Sequence, residues 1–161
     1  MAKYKYTWEA IEVETEDGYL LTTFHVTGST ETGKFNPDKG AVLIQHGNLQ
    51  DAASWIDSYP KGKPMPLILA DRGYDVWMGN NRGTEYSQKN TKGLDTSMKE
   101  FWAWSYAEMG IYDDTANIQM IKEKTGKDKI FYLGYSQGTV QMFYGLIKKG
   151  KEISDNLHKV V

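Results

Sequence analysis

A pentapeptide with the pattern Gly-x-Ser-x-Gly, from Gly134 to Gly138, lies between two apolar segments of different character. The segment before it, Ile130 to Leu133, is short and ends abruptly, which is typical of a buried strand. The segment after it, Val140 to Ile147, has the composition of a helix. The sequence therefore predicts a strand that turns sharply into a helix, with Ser136 at the turn.

This context gives Ser136 a chemical role that the bare pattern lacks. A sharp turn lifts the serine hydroxyl above the sheet and strains its backbone, which functional sites tolerate. Gly134 and Gly138 lack a Cβ, so the helix can pack closely against the strand. The N–H groups and partial positive charge at the start of the helix can stabilise an oxyanion. We interpret Ser136 as the nucleophile of an α/β-hydrolase.

Length and composition exclude several classes of protein. The 161 residues are enough for one domain with a sizeable core, which we place at residues 1–161. A net charge of -2 gives no reason to expect nucleic-acid binding. No apolar run reaches the length of a transmembrane segment, and residues 1–10 lack the apolar core of a signal peptide. Cysteine is absent and the three histidines lack metal-ligand spacing, so we expect no metal and no other cofactor.

The remaining pattern along the chain predicts an α/β fold. Residues 7–27 alternate apolar and polar positions around an Asp-Gly turn, which predicts a β-hairpin. Ala41–Gln45 and Tyr74–Met78 are short apolar runs, typical of parallel strands buried on both faces. We predict a helix over 112–124, and residues 156–161 begin a further strand. Strands that alternate with helices indicate a mostly parallel sheet with helices on both faces.

Beyond the serine motif, four blocks of sequence carry a family resemblance. They are HGNLQDAASWI, LADRGYDVWMGNNRGTEYS, FWAWSYAEMGIYD and KTGKDKIFYLGYSQGT. In this order and spacing they resemble the acid lipase family of α/β-hydrolases, which includes the gastric and lysosomal acid lipases. The resemblance implies the eight-stranded α/β-hydrolase fold and hydrolysis of carboxylic esters in neutral lipids, such as acylglycerols and sterol esters. It also implies a secreted or lysosomal location, although no export signal is visible.

The resemblance assigns roles to individual positions. Ser136 matches the nucleophile that forms the acyl-enzyme, and the backbone N–H of Gln137 matches one oxyanion donor. The second donor in the family is the backbone N–H after the His-Gly pair, which belongs here to Asn48. The family usually has an apolar residue at that position. Residues 41–161 would therefore contain the nucleophile and oxyanion half of the site.

The other half of a catalytic triad is missing from the pattern. In this fold the acid and the base follow the serine, and a serine hydroxyl needs that base. His158 is the sole histidine beyond Ser136, and it lies near the start of the next strand, as Glu152 and Asp155 do. If that strand runs parallel to the strand before Ser136, its start lies at the opposite end of the sheet from the serine. His46 precedes the serine and is expected to be structural.

We therefore expect no triad Asp and no triad His in this chain. It would be the N-terminal part of a lipase, truncated after the nucleophile helix and the start of the following strand, and inactive alone. A second hypothesis is a non-catalytic relative that binds lipid or a full-length partner. Either way, an open sheet edge and an apolar helix face would favour self-association.

Three further stretches have both a structural and a functional interpretation. For the aromatic block at 101–106, we prefer core packing beneath the serine turn to a lipid-contacting patch. For Arg82, we prefer a structural turn in which it hydrogen-bonds carbonyls or acids to an anion site. For Asp113 and Asp114, we prefer a charge pair at a helix N-terminus to a metal site.

Overall fold

The computed structural model describes residues 2–57 and 62–161, in which one sheet carries helices on both faces. The strands are β1 (Tyr6–Glu14), β2 (Tyr19–Ser29), β3 (Gly33–Lys34), β4 (Ala41–Gln45), β5 (Asp75–Gly79), β6 (Lys89–Asn90), β7 (Ile130–Gly134) and β8 (Leu157–Val160). The helices are α1 (Ser54–Asp57), α2 (Met65–Asp71), α3 (Tyr106–Glu108), α4 (Asp114–Thr125), α5 (Gln137–Lys149) and α6 (Lys151–Ser154). Short 3₁₀ helices occupy Ala2–Tyr4 and Lys99–Trp102, and a π-helix at Met109–Asp113 joins α3 to α4.

The main path of the sheet has the strand order β1-β2-β5-β4-β7-β8, with β3 and β6 paired to β2. Strands β5, β4, β7 and β8 run parallel to one another, whereas β1 and β2 form an antiparallel hairpin that joins the sheet through an antiparallel pairing of β2 with β5. Each parallel strand is reached through a helical crossover, as expected for parallel neighbours. The predicted α/β architecture is confirmed.

Side chains on the two faces of the parallel strands form separate cores. On one face α1 and α2 cover β4 and β5, with Val42, Ile44, Ile56, Leu67, Val76 and Met78 all buried. On the other face α4, α5 and α6 cover β4 and β7, with Leu43, Ile118, Ile121, Tyr132, Met142 and Ile153 all buried. Strands buried on both faces explain the continuous apolar runs in the sequence.

The register between β4 and β7 determines which loops meet at the edge of the sheet. Val42 pairs with Phe131, and Gln45 pairs with Gly134 at the carboxyl ends. The residues that follow the two strands, 46–48 and 135–137, are therefore neighbours. In open parallel sheets this edge is where ligands usually bind.

The helical segment before β7 begins earlier than the sequence predicts, at Tyr106 and not at residue 112. The π-helix packs directly against α5, backbone to backbone. A Cβ on Gly110 would lie 2.0 Å from the carbonyl oxygen of Gln141, and one on Gly145 would lie 2.5 Å from that of Gly110. Among the described residues, no helix has both the length and the apolar character needed to cross a membrane.

Candidate active site

Ser136 lies in the sharp turn between β7 and α5, with φ +52° and ψ −115°. This region of backbone conformation is strained for a residue with a side chain, and such strain concentrates at functional sites. The serine is exposed, and no described residue forms a hydrogen bond with its hydroxyl. The hydroxyl is therefore free to react with a molecule from solution.

The glycines on either side of Ser136 lie where no side chain fits. A Cβ on Gly134 would be 2.7 Å from the backbone nitrogen of Thr139, in the first turn of α5. A Cβ on Gly138 would be 2.6 Å from the carbonyl oxygen of Gln45, at the end of β4. Because real Cβ contacts are never this short, both positions require glycine for α5 to start this close to the sheet.

Two backbone N–H groups near the serine have no hydrogen-bond partner among the residues that the structure describes. Gln137 is the first residue of α5, and the first N–H groups of a helix have no acceptor within it. Within the described ranges, neither the N–H of Gln137 nor that of Asn48 donates a hydrogen bond. A Cβ on Gly47 would lie 3.2 Å from the Cβ of Ser136, so the backbone that leads into Asn48 passes directly beside the serine.

His46 is a buried structural residue, as the sequence predicts. It is 2% exposed, and its Nδ1 lies 2.8 Å from the carbonyl oxygen of Gly47. Its Nε2 accepts a hydrogen bond of 3.1 Å from the backbone N–H of Asn81. Burial lowers the pKa of His46 below its ordinary value. Both ring nitrogens are used by the backbone, so His46 does not serve as a base for Ser136.

The other two histidines lie away from the serine. His158 is in β8, and its ring lies 5.0 Å from that of Phe131, near the start of β7. His25 lies on β2, where it pairs with Glu9 and Asp75. No imidazole in the described residues therefore contacts Ser136. The same residues contain no group of His, Cys, Asp or Glu side chains that could hold a metal ion.

A cleft of about 570 Å³ opens beside these two N–H groups. Asn48 and Gln137 line it, but Ser136 itself is not among the lining residues. An aromatic wall of the cleft is formed by Trp102, Trp104, Ser105, Tyr106 and Met109. The cleft is mixed in character, because Asp51, Arg82 and Glu85 also line it.

The aromatic wall corrects a prediction. The predicted core packing of residues 101–106 beneath the serine turn is wrong for Trp102 and Tyr106, which are 44% and 46% exposed, whereas Phe101 belongs to a core and Trp104 packs against it. Phe101 is fully buried, but it packs against Tyr19 of the hairpin, with ring centroids 5.3 Å apart. The density of aromatics in the sequence could have indicated that some of them are exposed, since one buried helix face cannot accommodate four rings in six positions.

Arg82 has the structural role predicted for it. Its guanidinium is 1% exposed and forms two hydrogen bonds with Asp17, at 2.5 and 2.8 Å. It also pairs with Asp113, which is fully buried. The guanidinium therefore ties the turn of the hairpin and the π-helix to the loop after β5, which forms one side of the cleft.

The prediction of a charge pair at a helix N-terminus is wrong for Asp113 and Asp114. The helical segment runs without a break from α3 through the π-helix into α4, so no free N–H groups surround these carboxyl groups. Both are fully buried. Asp114 accepts a hydrogen bond of 2.8 Å from Nε2 of Gln141, and burial raises its pKa well above the ordinary value.

A buried polar network extends from Asp114 to the loop beside the serine. Gln141 and Asn81 pair through both amide groups, at 2.9 and 3.0 Å, and Nε2 of Gln45 donates to Oδ1 of Asn81 at 2.9 Å. Asn81 in turn donates its backbone N–H to His46. Buried amides of this kind hold their surroundings in one arrangement when they are paired. The sequence contained no signal for this network, because its members are far apart in the chain.

The parallel sheet, the helices on both faces and the strained serine at a strand-to-helix turn define an α/β-hydrolase. A family model described as "alpha/beta hydrolase fold" matches residues 40–161, and one described as "Partial alpha/beta-hydrolase lipase region" matches residues 1–59. The chain belongs to the α/β-hydrolase fold family, and its curated relatives are acid lipases.

Three of these relatives illustrate the match. "Lipase member M" of Mus musculus is 46% identical over 86% of this chain and 32% of that protein. "Lysosomal acid lipase/cholesteryl ester hydrolase" of Homo sapiens is 44% identical over 79% of this chain and 31% of that protein. "Gastric triacylglycerol lipase" of Mus musculus is 42% identical over 83% and 33%. The chain thus spans about a third of the length of these relatives.

Solved structures share the fold at lower identity. An esterase of Pyrococcus furiosus matches with a TM-score of 0.63 and 21% identity, over 94% of this chain and 50% of that one. A mutant epoxide hydrolase of Vigna radiata matches with a TM-score of 0.58 and 16% identity, over 95% and 37%. At this identity the likeness concerns the fold alone.

Proposed function

We propose that this chain carries the nucleophile and oxyanion half of a lipase that hydrolyses carboxylic esters of neutral lipids. The observation that carries the proposal is the exposed Ser136, held at positive φ beside two backbone N–H groups with no described partner. The identity of 42–46% to lipases supports the substrate class. Acylglycerols and sterol esters are the substrates that the names of the relatives suggest.

The proposed reaction is acyl transfer through the serine oxygen. The hydroxyl oxygen of Ser136 attacks the ester carbonyl, and the carbonyl oxygen becomes an oxyanion. The N–H groups of Asn48 and Gln137 donate hydrogen bonds to that oxyanion, which stabilises the tetrahedral intermediate. The alcohol then leaves with a proton, and water releases the fatty acid from the acyl-enzyme.

The serine proton needs an acceptor that the three histidines here do not supply. His46 is engaged by Gly47 and Asn81, and His158 lies beside the start of β7. We therefore propose that the base and its acid come from residues outside this chain's 161, and that the chain by itself is inactive. The nucleophile and oxyanion donors would then be complete but not activated.

The cleft fits an uncharged, largely apolar ester. The rings of Trp102, Trp104 and Tyr106 provide apolar surface in the cleft that the two oxyanion donors also line. Asp51 and Glu85 line the same cleft and would repel an anionic head group. The fatty acid product carries a negative charge, so the same carboxylates would favour its release.

A second candidate is a non-catalytic relative that binds lipid or a full-length partner. It is favoured by the absence of any described imidazole at Ser136. The exposed stripe formed by Val140, Phe143 and Ile147 on α5 is a further argument for it, since exposed apolar patches mark interaction sites.

Labelling with a fluorophosphonate distinguishes the two candidates, because this probe reacts covalently with activated serines. The experiment compares the native chain with Ser136→Ala and with the control Ser97→Ala, which replaces an exposed serine distant from Ser136 in the sequence. Each is labelled with and without added imidazole as an external base. A positioned general base accelerates a reaction by ~10²–10⁴-fold, and a base free in solution should give less. We therefore expect imidazole to increase labelling of the native chain and of Ser97→Ala about tenfold. Ser136→Ala should stay unlabelled.

Two results would contradict the hydrolase proposal. The first is labelling that persists in Ser136→Ala, which would place the reactive group elsewhere. The second is a native chain that imidazole does not activate at all, which would favour the binding role.

A further inference from the structure

We propose that His46 is the positioning residue of the oxyanion hole, because its Nδ1–H fixes the plane of the peptide that carries the Asn48 N–H. This inference rests on the proposed function, since it concerns how one of the two oxyanion donors is held. It assigns to His46 a role in donor geometry and no role in proton transfer.

The first step is the geometry of one peptide unit. The carbonyl of Gly47 and the N–H of Asn48 belong to the same planar, trans peptide, so the two bonds point in opposite directions. Nδ1 of His46 lies 2.8 Å from that carbonyl oxygen. A hydrogen bond on the carbonyl side therefore directs the N–H away from the buried imidazole and toward the open side of the loop.

The second step is the tautomer of the imidazole. A neutral imidazole has one N–H and one acceptor nitrogen, and the bond made by one nitrogen decides the state of the other. The backbone N–H of Asn81 can only donate, and it points at Nε2 of His46 at 3.1 Å. Nε2 is therefore the acceptor, and the proton is on Nδ1, where it is donated to Gly47.

The third step is what holds Asn81. Its side chain accepts from Nε2 of Gln45 at the end of β4, and it pairs with both amide atoms of Gln141 on α5. All three side chains are at most 1% exposed. The same asparagine that sets the tautomer of His46 thus joins α5, which carries the Gln137 donor, to β4, the strand that leads into the loop with Asn48.

The fourth step is the need for such a restraint. Gly47 can rotate freely compared with other residues, because it lacks a Cβ. A side chain there would meet Oε1 of Gln50 at 2.9 Å, the ring of Tyr135 at 3.0 Å and the Cβ of Ser136 at 3.2 Å, so a stiffer residue would force these neighbours to shift. The hydrogen bond from His46 restricts the peptide without filling that space.

Two substitutions separate the donor of the imidazole from its acceptor. His46→Asn keeps an N–H donor close to the position of Nδ1, whereas His46→Gln keeps an acceptor oxygen near Nε2 and removes the donor. In ¹⁵N relaxation measurements, the Asn48 amide of the native chain and of His46→Asn should be rigid, with an order parameter near ~0.85. In His46→Gln it should fall below ~0.6. His158→Gln, at an exposed histidine, serves as the control.

A second measurement needs no substitution, so it remains decisive if both variants fail to fold. The ¹⁵N shifts of the imidazole of His46 in the native chain should show a protonated Nδ1 and an unprotonated Nε2. A proton on Nε2 would overturn the proposal, and so would an Asn48 amide that is equally rigid in a folded His46→Gln.

The labelling rate with imidazole then links the geometry to the reaction. His46→Gln should be labelled about 100-fold more slowly than the native chain, the usual loss for one oxyanion donor, and His46→Asn should recover most of that loss. Equal rates for His46→Gln and the native chain would contradict the proposal. The relaxation and shift measurements do not require a reactive serine, so they test the role of His46 even if Ser136 is never labelled and the proposed function fails.

Discussion

The carboxylate of Asp113 accepts two hydrogen bonds from Arg82, one from the backbone N–H at 2.9 Å and one from Nε at 2.8 Å, and Nη2 of Arg82 forms an ion pair with the same carboxylate at 2.7 Å. Both side chains are buried, and Arg82 also stacks over the ring of Tyr19 at 4.1 Å. The pair therefore connects the loop after β5, the π-helix and the hairpin in one contact.

Removal of one member of this pair should destabilise the fold strongly. Asp113→Asn leaves the guanidinium buried with half of its partners, and breaking a buried pair in this way lowers the free energy of unfolding by about 3–5 kcal/mol. Urea denaturation of the variant and the native chain measures the difference. Lys5→Gln, which breaks an exposed pair with Glu31, is the matched control and should hardly change stability. A loss below about 1 kcal/mol for Asp113→Asn would show that the buried pair is not needed.

A single methyl group at the glycine after the serine should disturb both the fold and the site. Gly138→Ala places a Cβ 2.6 Å from the carbonyl oxygen of Gln45, so α5 must shift away from β4. We expect a loss of about 1–3 kcal/mol in unfolding free energy, together with loss of serine labelling. Val140→Ala, at a half-exposed position two residues further on, should stay within about 0.5 kcal/mol. If Gly138→Ala labels and melts like the native chain, the close approach of α5 is not required.

Stability should fall as the pH rises through the titration of His25. Burial lowers the pKa of His25, but its hydrogen bonds to Asp75 at 2.6 Å and Glu9 at 3.0 Å more than reverse this, and the net pKa is raised. A histidine with a raised folded-state pKa stabilises the fold fully below its unfolded pKa, and that stabilisation disappears as the pH exceeds the folded value. His46 has a lowered pKa and acts in the opposite direction, so the comparison must be with a His25 variant.

The measurement is urea denaturation between about pH 6 and about pH 9 for the native chain and His25→Gln. The native chain should lose stability toward high pH relative to His25→Gln. Asp75→Asn should remove much of the same difference, because it takes away the nearer carboxylate. Parallel curves for the native chain and His25→Gln would mean that the ion pairs of His25 do not stabilise the fold.

The isolated chain should self-associate through α5 and the neighbouring sheet edge. Val140, Phe143 and Ile147 are 51%, 54% and 78% exposed and lie on one face of the helix, and β8 is at an edge of the sheet. Exposed apolar stripes and open edges favour association. Light scattering after size-exclusion chromatography should give a mass above the 18.3 kDa of the monomer. This measured mass should rise with protein concentration. Phe143→Ser combined with Ile147→Ser should lower that mass, whereas Lys148→Ser on the same helix should not. A monomer at every concentration would contradict this expectation.

Much of the fold followed from the sequence because its signals are local. The apolar runs of β4, β5 and β7 are short and bounded, and the glycines around Ser136 fix the turn between a strand and a helix. The hydrogen-bonding role of Arg82 was also predicted, since an arginine in a polar turn after a buried strand needs acceptors for the N–H groups of its guanidinium.

What the sequence did not reveal depends on contacts between distant segments. Asp113 and Asp114 resemble a solvated pair, and their burial depends on Arg82 and Gln141, which are 31 and 27 positions away. The exposure of Trp102 and Tyr106 was not predicted because an aromatic-rich segment can fill a core or line a cleft. Which of the two occurs depends on contacts with segments distant in the chain. The early start of the helix at Tyr106 was missed because the π-helix breaks the regular helical period.

The direct backbone contact between Gly110 and Gly145 limits how a protein with this fold could evolve a preference for a different ester substrate. A Cβ at either position would meet the backbone of the other segment, so a larger residue there would force α5, which begins beside Ser136, away from the π-helix. The exposed loop residues Asn48 and Leu49 face no such restriction. Divergence in ester choice among such proteins should therefore accumulate in the loops around the cleft, while the helix pair beneath them stays invariant.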